Sequence, residues 1–108
     1  MCKESVSFAV AHVYILYSKK LDRYYIGSTA LNVEERLAQH NSVQMATATT
    51  SRGQPWELVL VLKCTSRLQA QRVEGHIKRM KSRVYLQNLQ QYDTLRAKLL
   101  ARYAIQDS

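Results

Sequence analysis

The stretch Ala9-Val10-Ala11-His12-Val13-Tyr14-Ile15-Leu16-Tyr17, followed by Ser18-Lys19-Lys20-Leu21-Asp22-Arg23 and then Tyr24-Tyr25-Ile26-Gly27, decides the fold. Apart from His12, its first part is apolar and rich in the branched and aromatic residues that fit a pleated, buried surface. It has the length of a strand, not of a helix. The polar segment Ser18 to Arg23 reads as a turn, and Tyr24 to Gly27 resumes strand composition. Two strands joined this closely predict an antiparallel hairpin.

After the hairpin, Asn32 with Glu35 three residues on resembles a capping pair. Val33, Leu37 and Asn41 share one face, and Arg36 and His40 form a second row, so a helix is expected over about 32–42. Residues 1–7 read as a short tail, and 42–51, rich in Ser, Thr and Ala, as a surface loop. The turn Arg52-Gly53-Gln54-Pro55 leads into Trp56–Cys64, whose aliphatic run Leu58-Val59-Leu60-Val61-Leu62 predicts a central or doubly covered strand. Trp56 itself is expected in the core. Ser66 is a candidate N-cap, and Ala70, Val73, Ile77 and Met80 step at helical spacing over about 67–82. Gly75 within that helix costs about 1 kcal/mol against Ala, which suggests a close approach there. Tyr85, Leu89, Tyr92, Leu99 and Tyr103 share one face of a last helix expected over about 85–103. The reading is a single α+β domain, 1–108. It has a three-stranded antiparallel sheet flanked by helices, in the order β-β-α-β-α-α.

At 108 residues with 46% hydrophobic composition, the chain is one domain's worth with enough apolar mass for a core. Cys2 and Cys64 are too few for a disulfide scaffold or a cysteine zinc site. The longest apolar run is too short to span a bilayer, and the start lacks the order of a signal peptide. These features lead to the expectation of a cytoplasmic protein, or a nuclear one in a eukaryotic host.

Charge narrows the class. Sixteen Lys/Arg against eight Asp/Glu give +8, a balance suited to a polyanion. Between Glu35 and Asp93 only Glu57 and Glu74 are acidic, amid Arg36, Arg52, Lys63, Arg67, Arg72, Lys78, Arg79, Lys81 and Arg83. A carboxylate in such a field is either paired on the surface or holds a metal; Lys78, at i+4, offers Glu74 the paired role. With three glycines there is no phosphate-cradling loop, and no His or Cys pair has zinc spacing.

What remains is a pattern. Val13-Tyr14-Ile15 lies in the first strand and Tyr25-Ile26-Gly27 in the second. Arg36 and His40 lie on the first helix, Glu74 on the second. Together these resemble the GIY-YIG nuclease superfamily, in particular its small, stand-alone single-domain type, which is similar to the catalytic domain of the excision-repair incision subunit. Arg36-Leu37-Ala38-Gln39-His40-Asn41 looks like the Arg-Leu-x-x-His-Asn helix of the small members. Gly53-Gln54-Pro55-Trp56-Glu57-Leu58-Val59 looks like their Gly-x-Pro-Trp-x-Leu-Val lead-in to strand three. Ala70 to Lys78 is similar to their Glu-bearing helix, and Lys81-Ser82-Arg83 to its basic exit. The resemblance spans about 11–86. His12-Val13 stands where the name-giving Gly-Ile would be, and Ser28 where excision-repair relatives carry Lys.

The resemblance implies a DNA endonuclease that hydrolyses phosphodiester bonds with one divalent metal, Mg²⁺ or Mn²⁺. It assigns Glu74 as metal ligand, Arg36 to the scissile phosphate, Tyr14 and Tyr25 to the attacking water, and His40 to a tyrosine, a proton or phosphate. A single carboxylate suffices for Mg²⁺, which keeps most of its waters, and the guanidinium fork suits phosphate oxygens. Arg52, Arg67, Arg72, Lys78, Arg79, Lys81 and Arg83 are expected along the DNA backbone, with loop 42–51 ordering on DNA. Structure-selective action in repair or recombination is one form of this reading, and a targeting protein is an expected partner. The alternative is a non-cleaving nucleic-acid-binding module on the same fold; RNA meets the same charge requirement. His12, His76, Tyr17 and Tyr24 are assigned structural roles.

Overall fold

The computed structural model describes residues 11–30, 32–42 and 51–104. The tail 1–7 and most of loop 42–51 lie outside them. Strands β1 (Ala11–Ser18) and β2 (Arg23–Thr29) form the expected hairpin. Helix α1 (Val33–His40) follows, then β3 (Trp56–Cys64) and helices α2 (Arg67–Met80), α3 (Arg83–Gln91) and α4 (Asp93–Arg102). The sheet order is β2-β1-β3, antiparallel throughout.

Two expectations need correction. The aliphatic strand β3 is an edge strand, and β1 is the central one. A bulge explains the misleading composition. Ile15 pairs with Leu60 and Leu16 with Leu58, so Val59 is extra, and Val59 and Leu60 both pack against the larger core. The segment expected as one helix over 85–103 is two helices, broken at Tyr92, which has extended backbone (φ −114°, ψ 112°). Carbonyls at the end of α3 are still satisfied, because Arg96 donates to those of Leu89 (2.5 Å) and Gln90 (3.1 Å).

Caps fix the helix starts where the sequence places them. The Asn32 side chain accepts from the Glu34 and Glu35 amides at 2.7 and 3.2 Å, and Ser66 Oγ from the Gln69 amide at 3.0 Å. Ser82, just after left-handed Lys81 (φ 48°), caps α3.

The sheet separates two apolar clusters. On one face Ala11, Val13 and Ile15 join Leu62, Ala70, Val73, Ile77, Leu86, Leu89 and Leu99 beneath α2, α3 and α4. On the other, Tyr14, Leu16 and Trp56 meet Tyr25, Val33, Leu37 and Leu58 beneath α1. Each fully buried aliphatic side chain contributes about 1.5–3 kcal/mol, so the first face dominates stability and the second holds the tyrosines. Gly75 marks no close backbone approach: a Cβ there would meet only the Arg79 guanidinium.

Candidate active site

Strand alternation sends Tyr14 to the α1 face while its neighbours Val13 and Ile15 go to the larger core. Tyr14 pairs directly across the ladder with Gly27. A Cβ at position 27 would lie 2.5 Å from Tyr14 Oη and 2.6 Å from Cζ. Gly27 does not have positive φ. It is glycine to leave room for the phenol, so the tyrosine of the first motif and the glycine of the second fit one another across the hairpin.

The Tyr14 hydroxyl lies 3.0 Å from His40 Nε2, and both side chains are buried. The His40 ring also sits 4.8 Å from the Tyr25 ring, whose other neighbours are Tyr14 (6.5 Å) and Trp56 (6.1 Å). Burial raises the Tyr14 phenol above its ordinary value, while hydrogen bonding and charge from Arg36 pull the other way; Tyr25 and Glu74 add smaller upward pushes. Burial, helped by Arg36, lowers His40. The resting pair is therefore a neutral phenol on a neutral imidazole, with a guanidinium close enough to act on both. Arg36 is anchored by a hydrogen bond to Gln39 Oε1.

Glu74 projects from α2 toward the β2 edge. Its Oε1 accepts from Ser28 Oγ at 2.6 Å, and its Oε2 pairs with Lys78 Nζ at 2.7 Å. Its side chain is 19% exposed against 55% for Lys78, so the carboxylate is sheltered while the ammonium is not. The structure thus gathers Tyr14, Tyr25 and His40 on the α1 side of the sheet with Arg36 acting on Tyr14 and His40, while Glu74 stands at Ser28, next to Gly27 on β2.

The seven expected backbone-binding cations do not form one surface. Lys78 and Lys81 line a cleft between β2 and the α2–α3 corner, together with Arg23, Tyr24 and Arg83. Arg83 is already engaged: it bridges to Asp22 Oδ1 at 2.8 Å and to the Asp22 carbonyl at 2.6 Å, tying α3 to the hairpin turn. Arg67 borders a small hollow beside Ser28. Arg52 is exposed in the turn before Gly53. Arg72 and Arg79 lie elsewhere, in a cleft on the outer side of α2.

Several supporting residues escaped the sequence reading. Asn41 donates to the Trp56 carbonyl at 3.0 Å and accepts from the Trp56 amide at 2.6 Å, and Gln54 Nε2 donates to the carbonyls of His40 and Ser42. These bonds clasp the end of α1 to the start of β3. A Cβ on Gly53 would fall 2.4 Å from Trp56 Cζ2, and the Gln54–Pro55 bond is cis. The Arg-Leu-x-x-His-Asn and Gly-x-Pro-Trp segments were the available signal, since each needs the other to close. Tyr17 Oη donates to Asp22, and the Tyr17 and Tyr24 rings lie 5.0 Å apart. His76 meets Tyr103 Oη through Nδ1 at 2.9 Å. His12 Nδ1 is buried without a partner among the described residues.

Among the described residues, no three His, Cys, Asp or Glu side chains cluster as a metal cage, and no helix is long and apolar enough to cross a membrane. No match was found among curated proteins. The family profile described as the GIY-YIG catalytic domain matches residues 10–90. On that match over most of its length, the chain belongs to the GIY-YIG family, a family of nuclease-type catalytic domains.

Proposed function

We propose that this chain is a metal-dependent DNA endonuclease. The observation that carries the reading is the buried Tyr14–His40 hydrogen bond, on which Arg36 and Glu74 both act electrostatically. What favours this reading over a structural pair such as His76–Tyr103 is that the Tyr14–His40 pair is fully buried, stands against Tyr25 and falls within the span the family profile matches.

The donor chemistry at Glu74 fits a hard divalent cation. It is one sheltered carboxylate, oriented by the Ser28 hydroxyl. Glu74 would hold Mg²⁺ or Mn²⁺. Such an ion supplies charge relief to the phosphoryl group and to the departing oxygen. Arg36 grips the scissile phosphate. Tyr25, more exposed than Tyr14, orients the attacking water, and the Tyr14–His40 pair takes its proton: Tyr14 Oη accepts it while passing its own to His40 Nε2. The concerted transfer matters, because burial makes a free tyrosinate at Tyr14 costly. Lys78, Lys81 and Arg67 hold the flanking backbone.

The test is a cleavage assay on supercoiled, single-stranded and branched DNA, with Mg²⁺, Mn²⁺ or EDTA. Metal-dependent nicking is expected from the wild-type chain. It should be lost in Glu74→Ala and Arg36→Ala while salt-sensitive binding persists. Tight binding with no cleavage in any metal would overturn the enzyme reading in favour of the non-cleaving module.

A further inference from the structure

The outer side of α2 carries a second basic feature. Its buried stripe is Ala70, Val73 and Ile77. At about 100° per residue, Arg72 and Arg79 stand roughly 160° and 140° around the helix from Glu74. There they border a cleft of about 590 Å³ together with Arg102 and Tyr103 from the end of α4, with Gly75 and Gln71 between them. Among the described residues, no carboxylate lines this cleft. Among the described residues, the salt bridges join Lys78 to Glu74 and Arg83 to Asp22, and none involves its three arginines. Arg102 lies 5.7 Å over the Tyr103 ring, whose hydroxyl is held by His76, so this guanidinium has a fixed platform. Position 75 bears no side chain, and a Cβ there would meet only Arg79 Nη1, at 3.2 Å.

Three guanidinium groups gathered at one cleft repel one another; a bound polyanion lowers that cost. The cleft lies across α2 from Glu74, and a helix with its side chains is about 10–12 Å thick. A straight duplex lying against Glu74 and Lys78 therefore does not reach it, whereas a duplex arm leaving at an angle does. An acidic protein is the less suited occupant: among the described residues, Leu68 is the one exposed large apolar side chain at the cleft, too little for the apolar centre of a protein interface.

We propose that Arg72, Arg79 and Arg102 form a second nucleic-acid site that grips the phosphate backbone of another duplex arm, so that the chain engages branched DNA on two sides of α2. This rests on the nuclease reading and specifies its substrate class. Fluorescence anisotropy in EDTA, with linear duplex and a four-way junction over a salt series, tests it. Each phosphate contact adds about 0.9 to the slope of log affinity against log salt. The wild-type slope should thus be steeper on the junction by about 2.7. The variant Arg72→Gln/Arg79→Gln/Arg102→Gln, with circular dichroism matching the wild type, should lose that excess and at least tenfold of the junction-over-duplex preference. Equal wild-type slopes on both substrates would overturn the second site. An excess retained by the variant would do the same, as would an Asp/Glu-rich peptide that binds through the three arginines while DNA preference is untouched. In each of these cases the nuclease reading stands if Glu74→Ala still abolishes cleavage. Absence of salt-sensitive DNA binding by the wild type would remove both.

Discussion

Gly27→Ala should be among the most damaging single-methyl additions in this chain. The new Cβ would sit 2.5 Å from Tyr14 Oη and 2.6 Å from Cζ, with Cε1 at 3.1 Å. The phenol cannot retreat in place, because it is buried and bonded to His40. Overpacking of this kind costs about 1–3 kcal/mol, and a disrupted buried hydrogen bond costs about 1 kcal/mol more. Loss of glycine freedom in the unfolded chain returns about 0.4–1 kcal/mol, leaving a net loss of about 2 kcal/mol. For a domain of this size that lowers Tm by about 10 °C. Urea unfolding followed by circular dichroism measures it. The decisive control is the same substitution in a Tyr14→Leu background, which lacks all three clashing atoms. There Gly27→Ala should be nearly neutral, giving a coupling energy of about 2 kcal/mol. Equal destabilisation in both backgrounds would show that Gly27 serves the backbone and not the tyrosine, and the fit between the two motifs would fall with it.

Other outcomes follow from the same geometry. His40 and His76 are both lowered by burial from 6.5, so the unfolded chain takes up their protons first. Their contribution to stability is complete above pH 6.5 and is lost as pH falls through the folded values. The acid-side decline should flatten in His40→Gln. Because the proposed mechanism needs neutral His40 as proton acceptor, cleavage should hold at pH 6.5 and fall only at lower pH, as a pH–rate profile will show. Lys78 pairs with the Glu74 carboxylate proposed to hold the metal, so Lys78→Gln should lower the Mn²⁺ concentration for half-maximal binding by about twofold, the size of an i,i+4 pair; titration followed by Mn²⁺ paramagnetic resonance reads it. Burial pushes the Cys64 thiol up to about 11, so in a Cys2→Ser background a thiol reagent at pH 8 should label the chain only after denaturant is added.

Much of this fold is legible locally. Asn32 and Ser66 announce their helices because a capping side chain acts within three residues of itself. The Tyr14 and Tyr25 strands announce a hairpin because their turn is short. Position within a sheet is not local: the run Leu58–Leu62 reads as central because the Val59 bulge turns two successive side chains to one core and erases the alternation. The break at Tyr92 has no Gly or Pro to mark it, and it is accommodated by Arg96, four residues further on. Among the site residues, Glu74 stands out by its charge, since between Glu35 and Asp93 only Glu57 and Glu74 are acidic. Ser28 and Asn41 do not stand out, because each matters only through a partner 46 or 15 positions away. Arg72 and Arg79 show the limit of composition: both are basic and near Glu74 in sequence, yet the helical turn sends them to the opposite side.

The clasp between Asn41, Gln54 and Trp56 has a dynamic consequence. Tyr14 and Tyr25 ride on strands shared with the larger core, whereas Arg36 and His40 ride on α1, a helix of eight residues. A helix that short has almost no stability of its own. It stays docked through Val33, Leu37 and the bonds at its end. Its opening therefore costs less than global unfolding, and it carries off Arg36 and His40, the proposed phosphate grip and proton acceptor, together. Amide exchange in α1 should outpace that in β1, and the fraction of time α1 spends docked sets a ceiling on how often the site is complete.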